Sequence, residues 1–464
     1  MSGKPEAGDF TGWLVRSDVP RIGTFACSDP LLNHYYEVSL RTIEGNLQGY
    51  LTDCPHREKC QWTGDLHAVA EAASYNFDLS KFFPKAARDL RTTLGIVHPH
   101  PQSSLPRDPR APANVAGGRR LPHQARPDWG AATVLVPHTA WLFYGDTGIV
   151  RENWPVMEGW MAFLREHAVK EGIIEEGYGD WCPPGSNSEI DTPVALTSTA
   201  LYYKSLHAMR DMANALGKSG SAETYAREAE RIKAAFIDRF HNRQAGHFGT
   251  QTGTAMALQL GLYPEARRAR VADGLVRLIM EKADGRYTTG IFGHRPLYTV
   301  LNDNGKADVT AHLWQQTGFP SLRFLTEKHG LTTWPEVPYD WPEGERYRRN
   351  SFNHPMHSGF AAVFHESLSG IRPDPAQPGF RHFILQPCFL PGLEWARADH
   401  RSPFGTISSH WKRDGGRIVW NVTVPDGCSA SVRLPQASAV RVNVQPAPAP
   451  FVELTAGDHT IELL

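Results

Sequence analysis

Apolar residues recur at steps of three and four through most of the chain, then switch to alternation. The clearest helical run is Leu196, Ala200, Tyr203, Leu206, Met209, Ala213 and Leu216, which Gly217 ends as a C-cap. After Lys218-Ser219-Gly220, the residues Tyr225, Ala229, Ile232, Phe236 and Phe240 fall on one face of a second run. Two amphipathic helices joined by so short a loop must pack antiparallel. Similar periodicity predicts helices near 30–48, 65–76, 81–94, 131–145, 156–169, 252–261, 265–283, 308–316, 319–328 and 355–369. About twelve helices over residues 29–372 make six hairpins, which can close into an (α/α)6 barrel. Residues 1–28 read as a lead-in segment.

The period changes after Gly379. Ile418, Trp420, Val422 and Val424 alternate with polar residues, as do the stretches 431–434, 440–444, 451–454 and 460–463. Asp414-Gly415-Gly416 and Asp426-Gly427 mark turns. Residues 379–464 therefore read as a small antiparallel β-sandwich, set off by Pro373, Pro375 and Pro378. Residues 97–128 fit neither period. They hold His98-Pro99-His100-Pro101 and Gly117-Gly118, and a patternless segment of that length is expected to form a loop over the barrel mouth.

With 464 residues the chain exceeds the roughly 250–300 at which one core stops growing, so two domains or one unusually large one are expected. Lys plus Arg number 48 and Asp plus Glu 49, so there is no basic footprint and nucleic acid is not the expected partner. No apolar run is long enough to span a membrane. The N-terminus MSGKPEAGDF has no apolar signal-peptide core, and the six cysteines form no CxxC pair. Both features favour free thiols and a cytoplasmic location, although a piece of an exported parent would look the same. Thirteen tryptophans and 21 histidines fit aromatic-lined loops on a rigid scaffold better than a plain bundle.

Three clusters carry candidate chemistry. Asp53-Cys54-Pro55-His56-Arg57-Glu58-Lys59-Cys60-Gln61-Trp62-Thr63-Gly64-Asp65 packs three carboxylates beside an arginine and a tryptophan. It is a solvated turn whose Asp65 caps a helix, or a site in which carboxylates crowded against an indole ionise at separated pH values, as acid chemistry needs. Glu175-Glu176-Gly177-Tyr178-Gly179-Asp180-Trp181 sets an Asp-Trp pair between glycines and helix, suited to stacking on a sugar ring and holding its hydroxyls, or to burying one tryptophan. The third spans Thr332-Thr333-Trp334-Pro335-Glu336 to Asn353-His354-Pro355-Met356-His357. His354 and His357 have no third histidine or cysteine at ligand spacing, so no metal is expected. Hydrolase-elbow and nucleotide-loop motifs are missing, so no cofactor is expected either. Carboxylates and tryptophans on helical hairpins point to carbohydrate.

These motifs, in this order, resemble the α-L-rhamnosidases of glycoside hydrolase family 78. Asp53-Cys54-Pro55-x-Arg57-Glu58 through Trp62-x-Gly64-Asp65 is similar to the family's acid loop, Gly179-Asp180-Trp181 to its sugar-binding turn, and Thr332-Thr333-x-x-Glu336 to its general-base segment. Ser351-x-Asn353-His354 through Gly359 is similar to its histidine segment, and Phe380-Arg381-His382-Phe383 to the entry of its C-terminal sandwich. The lead-in Phe25-x-Cys27-Ser28-Asp29-Pro30-Leu31-Leu32-Asn33 matches as well. The resemblance covers roughly residues 20–400. It implies an inverting hydrolase releasing terminal α-L-rhamnose from glycosides or oligosaccharides, with Glu58 as general acid and Glu336 as general base. Asp53, Asp65 and Asp180 would hold hydroxyls, with Arg57 orienting. Trp62, Trp181 and Trp129 would pack on the ring and its methyl group, and His354 would reach the sugar near the base. Glu58 has to carry a proton near neutral pH, which negative neighbours and the indole would favour.

Two departures qualify the likeness. The family's tryptophan directly before the base is replaced by Pro335, with Trp334 shifted by one, which leaves Glu343 and Glu345 as alternatives to Glu336. Relatives also carry β-sandwich domains ahead of the barrel, whereas this chain begins about twenty residues before it; an uncovered barrel wall would favour a homo-oligomer. The alternatives in function are another carbohydrate enzyme on the same barrel, a different glycosidase or a lyase, and a non-catalytic sugar-binding protein.

Overall fold

The computed structural model describes residues 4, 6–118, 120–186, 191–342, 351–434, 439–447 and 450–464. Among the described residues, thirteen α-helices occupy the first part of the chain. They are α1 (Pro30–Asn46), α2 (Thr63–Asn76), α3 (Phe82–Thr92), α4 (Pro127–Gly130), α5 (Ala132–Tyr144), α6 (Thr147–His167) and α7 (Val194–Ala215). Then come α8 (Ser219–Phe240), α9 (Gln251–Leu260), α10 (Arg268–Arg277), α11 (His294–Asp303), α12 (Ala307–Gln315) and α13 (Leu322–Glu327). A 3-10 turn at Pro355–Ala361 and a π-turn at Phe364–Leu368 follow.

Six of these segments form a closed inner ring: α2, α5, α7, α9, α11 and the 355–361 turn each touch the next, and the last returns to α2. Outer helices cover them, with α6 on α5, α8 on α7, α10 on α9, α12 on α11 and α1 behind the 355–361 turn. This is the (α/α)6 barrel. The sequence separates the two rings by periodicity. Inner α5 is buried almost all round through Val134, Leu135, Val136 and Trp141, whereas outer α8 buries one stripe of Tyr225, Ala229, Ile232 and Phe236. The ring closes tightly at Gly359, where any Cβ would stand 2.5 Å from the carbonyl oxygen of Ala68 on α2.

Several helices differ from their sequence pattern. α6 begins at Thr147, capped by Asp146, and carries Pro155 inside it, the residue that had made the helix look as if it started at 156. The run 265–283 divides into a 3-10 turn, α10 and a π-turn, and the run 355–369 never becomes an α-helix. Inner helix α11 has no counterpart among the expected helices, because Gly290, Gly293 and Pro296 break its periodicity. Its place in the expected total was taken by 319–328, of which only the short α13 is helical.

The C-terminal part is an antiparallel β domain. Strands β1 (Gly23–Cys27), β4 (Trp395–Ser402), β5 (Gly405–Asp414), β6 (Arg417–Arg433), β9 (Phe451–Leu463), β7 (Val440–Val442) and β8 (Gln445–Ala447) bond in that order. β2 (Ile371–Pro373) pairs with β3 (His382–Leu385), which joins β6 in parallel. One edge of β6 therefore serves β5 in its first half and β3 in its second. Asp426-Gly427 is not a turn. It lies in a bulge between Val424 and Ser429, where Gly427 takes a φ of +73° and β6 continues. The lead-in contributes β1, which pairs with β4 from Gly23–His400 to Cys27–Ala396. Buried donors seam the barrel to the sheet: Trp411 Nε1–H to Leu368 O at 2.7 Å, and Tyr75 O–H to Ile371 O at 2.8 Å.

Candidate active site

The loop between α1 and α2 is pinched at its two ends by Asp53. The Asp53 backbone N–H donates to Cys60 O at 2.8 Å, its Oδ1 accepts from Cys60 N–H at 2.9 Å, and its Oδ2 accepts from the Cys54 thiol at 3.0 Å. Both thiols then hold the backbone of Glu58. Cys54 Sγ accepts from Glu58 N–H at 3.3 Å, and Cys60 Sγ–H donates to Glu58 O at 3.2 Å. Trp62 closes the loop by donating Nε1–H to Glu58 Oε2 at 2.6 Å. The segment 97–128 lies alongside: Thr63 N–H donates to Asn114 O and Gln61 N–H to Gly117 O, each at 3.0 Å. From there Arg120 Nη2 reaches Glu58 Oε1 at 2.9 Å.

Glu336 arrives from the other side, on the stretch after α13. Its backbone N–H donates to Ser351 O at 2.9 Å, and Trp334, on the same stretch, accepts from His354 N–H at 2.9 Å and donates to Thr42 Oγ1 on α1 at 2.8 Å. His357 Nε2 lies 3.0 Å from the Glu336 carbonyl oxygen; burial lowers its pKa to about 4, so it is a neutral donor that fixes this backbone.

Between the two stretches lies a cavity of about 230 Å³, lined by Asp53, Glu58, Trp62, Asp65, Arg120, Trp129, Tyr178, Trp181, Glu336, His354 and Met356. The two glutamates, far apart in sequence, meet at a single nitrogen of Arg57. Arg57 Nη2 pairs with Glu336 Oε2 and lies 3.5 Å from Glu58 Oε1. Sharing that nitrogen holds the nearest carboxylate oxygens no more than about 6 Å apart, shorter than the roughly 6.5–9.5 Å carboxyl spacing of inverting glycosidases. Both side chains are ion-paired, yet both face the cavity.

His354 sits opposite Asp65, with Nε2 2.9 Å from Oδ1. Burial alone would lower its pKa; the hydrogen bond and charge of Asp65, with Glu336 and Asp53 nearby, reverse the sign and bring it to about 9. The imidazolium therefore persists at neutral pH among the carboxylates. Burial raises the pKa of Asp53. Among the described residues, Asp53, Cys54 and His354 form the one group with ligand atoms close enough for a metal, within 4.8 Å of one another. They are already committed: the thiol, its pKa pushed up to about 11 by burial, bonds to Asp53, and His354 to Asp65.

Trp129, on α4, stands edge-on to Tyr178 at 4.6 Å and to Phe292 at 5.5 Å. Its indole lies flush on Gly64 at the start of α2, where a Cβ would fall 2.3 Å from Cε2. Gly64 is thus glycine because the tryptophan needs its space. Trp181 lies 6.1 Å from Tyr178, and the carbonyl of Trp181 accepts from Ile291 N–H at 2.9 Å.

Of the sequence-predicted residues, Asp53, Glu58, Trp62, Asp65, Trp129, Trp181, Glu336 and His354 line this one cavity, and Arg57 bridges its two glutamates. Asp180 does not join them. Its oxygens accept from Thr252 Oγ1–H and from the N–H groups of Gly290, Phe292 and Gly293, at 2.7, 2.8 and 3.2 Å, so the carboxylate ties the 290–293 turn and has no free face for a hydroxyl. The surroundings of Glu58 also differ from expectation: among the described residues it pairs with Arg120 and Arg57. Glu343 and Glu345 lie outside the described residues. Sequence reasoning did not assign Arg120, Tyr178 or Met356 to the site, although the last two lie within the stretches it singled out.

Residues 20–368 match the family of bacterial alpha-L-rhamnosidase 6-hairpin glycosidase domains, and residues 370–447 the bacterial alpha-L-rhamnosidase C-terminal domain. An alpha-L-rhamnosidase of Formosa agariphila is 36% identical over 446 residues, covering 94% of this chain and 46% of the relative. The chain thus spans about half the length of that relative. A Streptomyces avermitilis alpha-L-rhamnosidase solved in complex with L-rhamnose aligns over 97% of this chain and 43% of its own, at 28% identity and a TM-score of 0.82. An alpha-L-rhamnosidase from Dictyoglumus thermophilum shares the fold at a TM-score of 0.88 and 24% identity, over 100% of this chain and 52% of that one.

Proposed function

The chain belongs to the bacterial α-L-rhamnosidases with a six-hairpin glycosidase domain, and from that premise we propose that it hydrolyses terminal α-L-rhamnosides with inversion at the anomeric carbon. Glu58 is the general acid that protonates the glycosidic oxygen, and Glu336 the general base that takes a proton from the attacking water. The observation that carries this reading is the convergence of the two glutamates on Arg57 inside one cavity with aromatic walls.

Each other group has a task in that scheme. The Arg57 guanidinium keeps Glu336 directed into the cavity. Trp62 fixes Glu58 Oε2, which leaves Oε1 to carry the proton. Asp53, Asp65 and the His354 imidazolium offer acceptors and a charged donor to the ring hydroxyls, with Trp62, Trp129 and Trp181 against the ring and its methyl group. Positive charge builds up on the ring in an oxocarbenium-like transition state, and the surrounding carboxylates favour it.

The test is hydrolysis of p-nitrophenyl α-L-rhamnoside, with the first-formed anomer read by NMR. Wild type should release β-L-rhamnose, and Glu58→Gln and Glu336→Gln should each lose about 10²–10⁴-fold in kcat. Release of the α anomer, or full activity in Glu336→Gln, would overturn the reading.

A further inference from the structure

One charge at the cavity rim has no part in the reaction so far. Arg120 lays its guanidinium over the Trp62 ring at 5.7 Å and closes on Glu58 Oε1 at 2.9 Å. Its side chain is 54% exposed against 14% for Glu58, so it stands on the solvent side of that carboxylate. Oε2 already accepts from Trp62, hence Oε1 is the oxygen that must hold the donated proton, and Arg120 covers it. A guanidinium has only donors and cannot accept from a protonated Oε1. It occupies the approach to Oε1, so it has to shift for the glycosidic oxygen to reach that atom.

The leaving group departs on this same side, because the acid must reach the glycosidic oxygen. Among the described residues that line the cavity, Arg120 is the exposed cation on that side. The cavity behind it holds four carboxylates, Asp53, Glu58, Asp65 and Glu336, against the two cations Arg57 and His354, so Arg120 is the third positive charge and the one on the aglycone side.

We propose that Arg120 is a specificity-determining residue that selects aglycones bearing a carboxylate beside the scissile bond, as a uronic acid does. The proposal rests on the hydrolytic reading above. A planar carboxylate gives the guanidinium a bidentate partner and draws it off Oε1. Glu58 then takes up a proton from solvent and passes it to the glycosidic oxygen. A neutral aglycone has nothing to exchange for the Glu58 contact and reacts more slowly.

The test compares 3-carboxyphenyl α-L-rhamnoside with its neutral, near-isosteric partner 3-carbamoylphenyl α-L-rhamnoside. Wild type should favour the carboxylate by about five- to tenfold in kcat/KM, the size of a partly exposed charge pair, and 0.5 M salt should shrink that ratio. In Arg120→Gln the ratio should fall to about one or below, and Arg120→Lys should recover part of it. Because each ratio is taken within one protein, a partly folded variant does not distort it. Equal wild-type rates on the two probes, or an unchanged ratio in Arg120→Gln, overturn the role of Arg120 and leave the hydrolytic reading standing. Failure of wild type on both probes and on p-nitrophenyl α-L-rhamnoside overturns the hydrolytic reading itself.

Discussion

A single methyl group added at Gly64 should disable the sugar site from within. The built Cβ falls 2.3 Å from Cε2 of Trp129, 2.5 Å from Cδ2 and 2.6 Å from Nε1. Ordinary contact begins near 3.4 Å, so the indole must retreat by about 1 Å. It cannot slide freely, because Tyr178 and Phe292 stand against it at 4.6 and 5.5 Å. Two effects oppose each other in Gly64→Ala. Overpacking costs about 1–3 kcal/mol, while alanine in the first turn of α2 recovers at most about 1 kcal/mol of helix propensity. The net expectation is a modest loss of about 1–2 kcal/mol in stability, read as a lower Tm. The catalytic loss should be larger in proportion, since a misplacement of about 1 Å in a substrate-positioning wall costs on the order of 10²-fold. Steady-state kinetics on p-nitrophenyl α-L-rhamnoside would read it as a drop in kcat/KM. Pairing the change with Trp129→Phe, which makes room for the methyl group, should restore part of the stability that Gly64→Ala loses. A Gly64→Ala enzyme with unchanged Tm and unchanged kcat/KM would refute the argument that this glycine exists to seat Trp129.

Two further outcomes follow from the site's charges. His354 has a folded-state pKa of about 9 against an ordinary 6.5, so its interactions stabilise the fold fully below about pH 6.5 and fade as the pH rises through 9. Because the group is fully buried, the loss should amount to about 3 kcal/mol between pH 6 and pH 10, seen as a Tm decrease that is much smaller in His354→Gln. Asp180→Asn turns one acceptor oxygen into an N–H₂ that faces two of the four donors, either those of Thr252 and Gly290 or those of Phe292 and Gly293, and should cost about 2–4 kcal/mol in stability, while the enzyme that remains folded keeps its KM. A stable Asp180→Asn with a raised KM would return Asp180 to the sugar site.

The sequence made the barrel legible because long, strongly periodic helices such as α7 and α8 announce themselves. It hid α11, whose glycines and Pro296 erase the pattern although the ring needs it. The acid loop was legible as chemistry because Asp53, Glu58, Trp62 and Asp65 lie within one short stretch and need no long-range contact to be grouped. The meeting of Glu58 with Glu336 could come only from the resemblance, since it depends on barrel closure. Asp180 shows the opposite limit. An aspartate between a glycine and a tryptophan has the same sequence whether it faces a sugar or folds back onto the 290–293 turn, and only the four donors around it decide. Arg120 was invisible for a related reason: residues 97–128 follow no period, so nothing in their composition says which side chain returns to Glu58.

The most direct test of the paired roles of Glu58 and Glu336 is the leaving-group dependence of the two glutamine variants, measured as kcat/KM on 2,4-dinitrophenyl and phenyl α-L-rhamnosides. A dinitrophenolate departs without help, so Glu58→Gln should lose little on that substrate and about 10³-fold on the phenyl rhamnoside, whereas Glu336→Gln should lose heavily on both. An equal loss in Glu58→Gln on the two substrates would contradict the assignment of Glu58 as the proton donor.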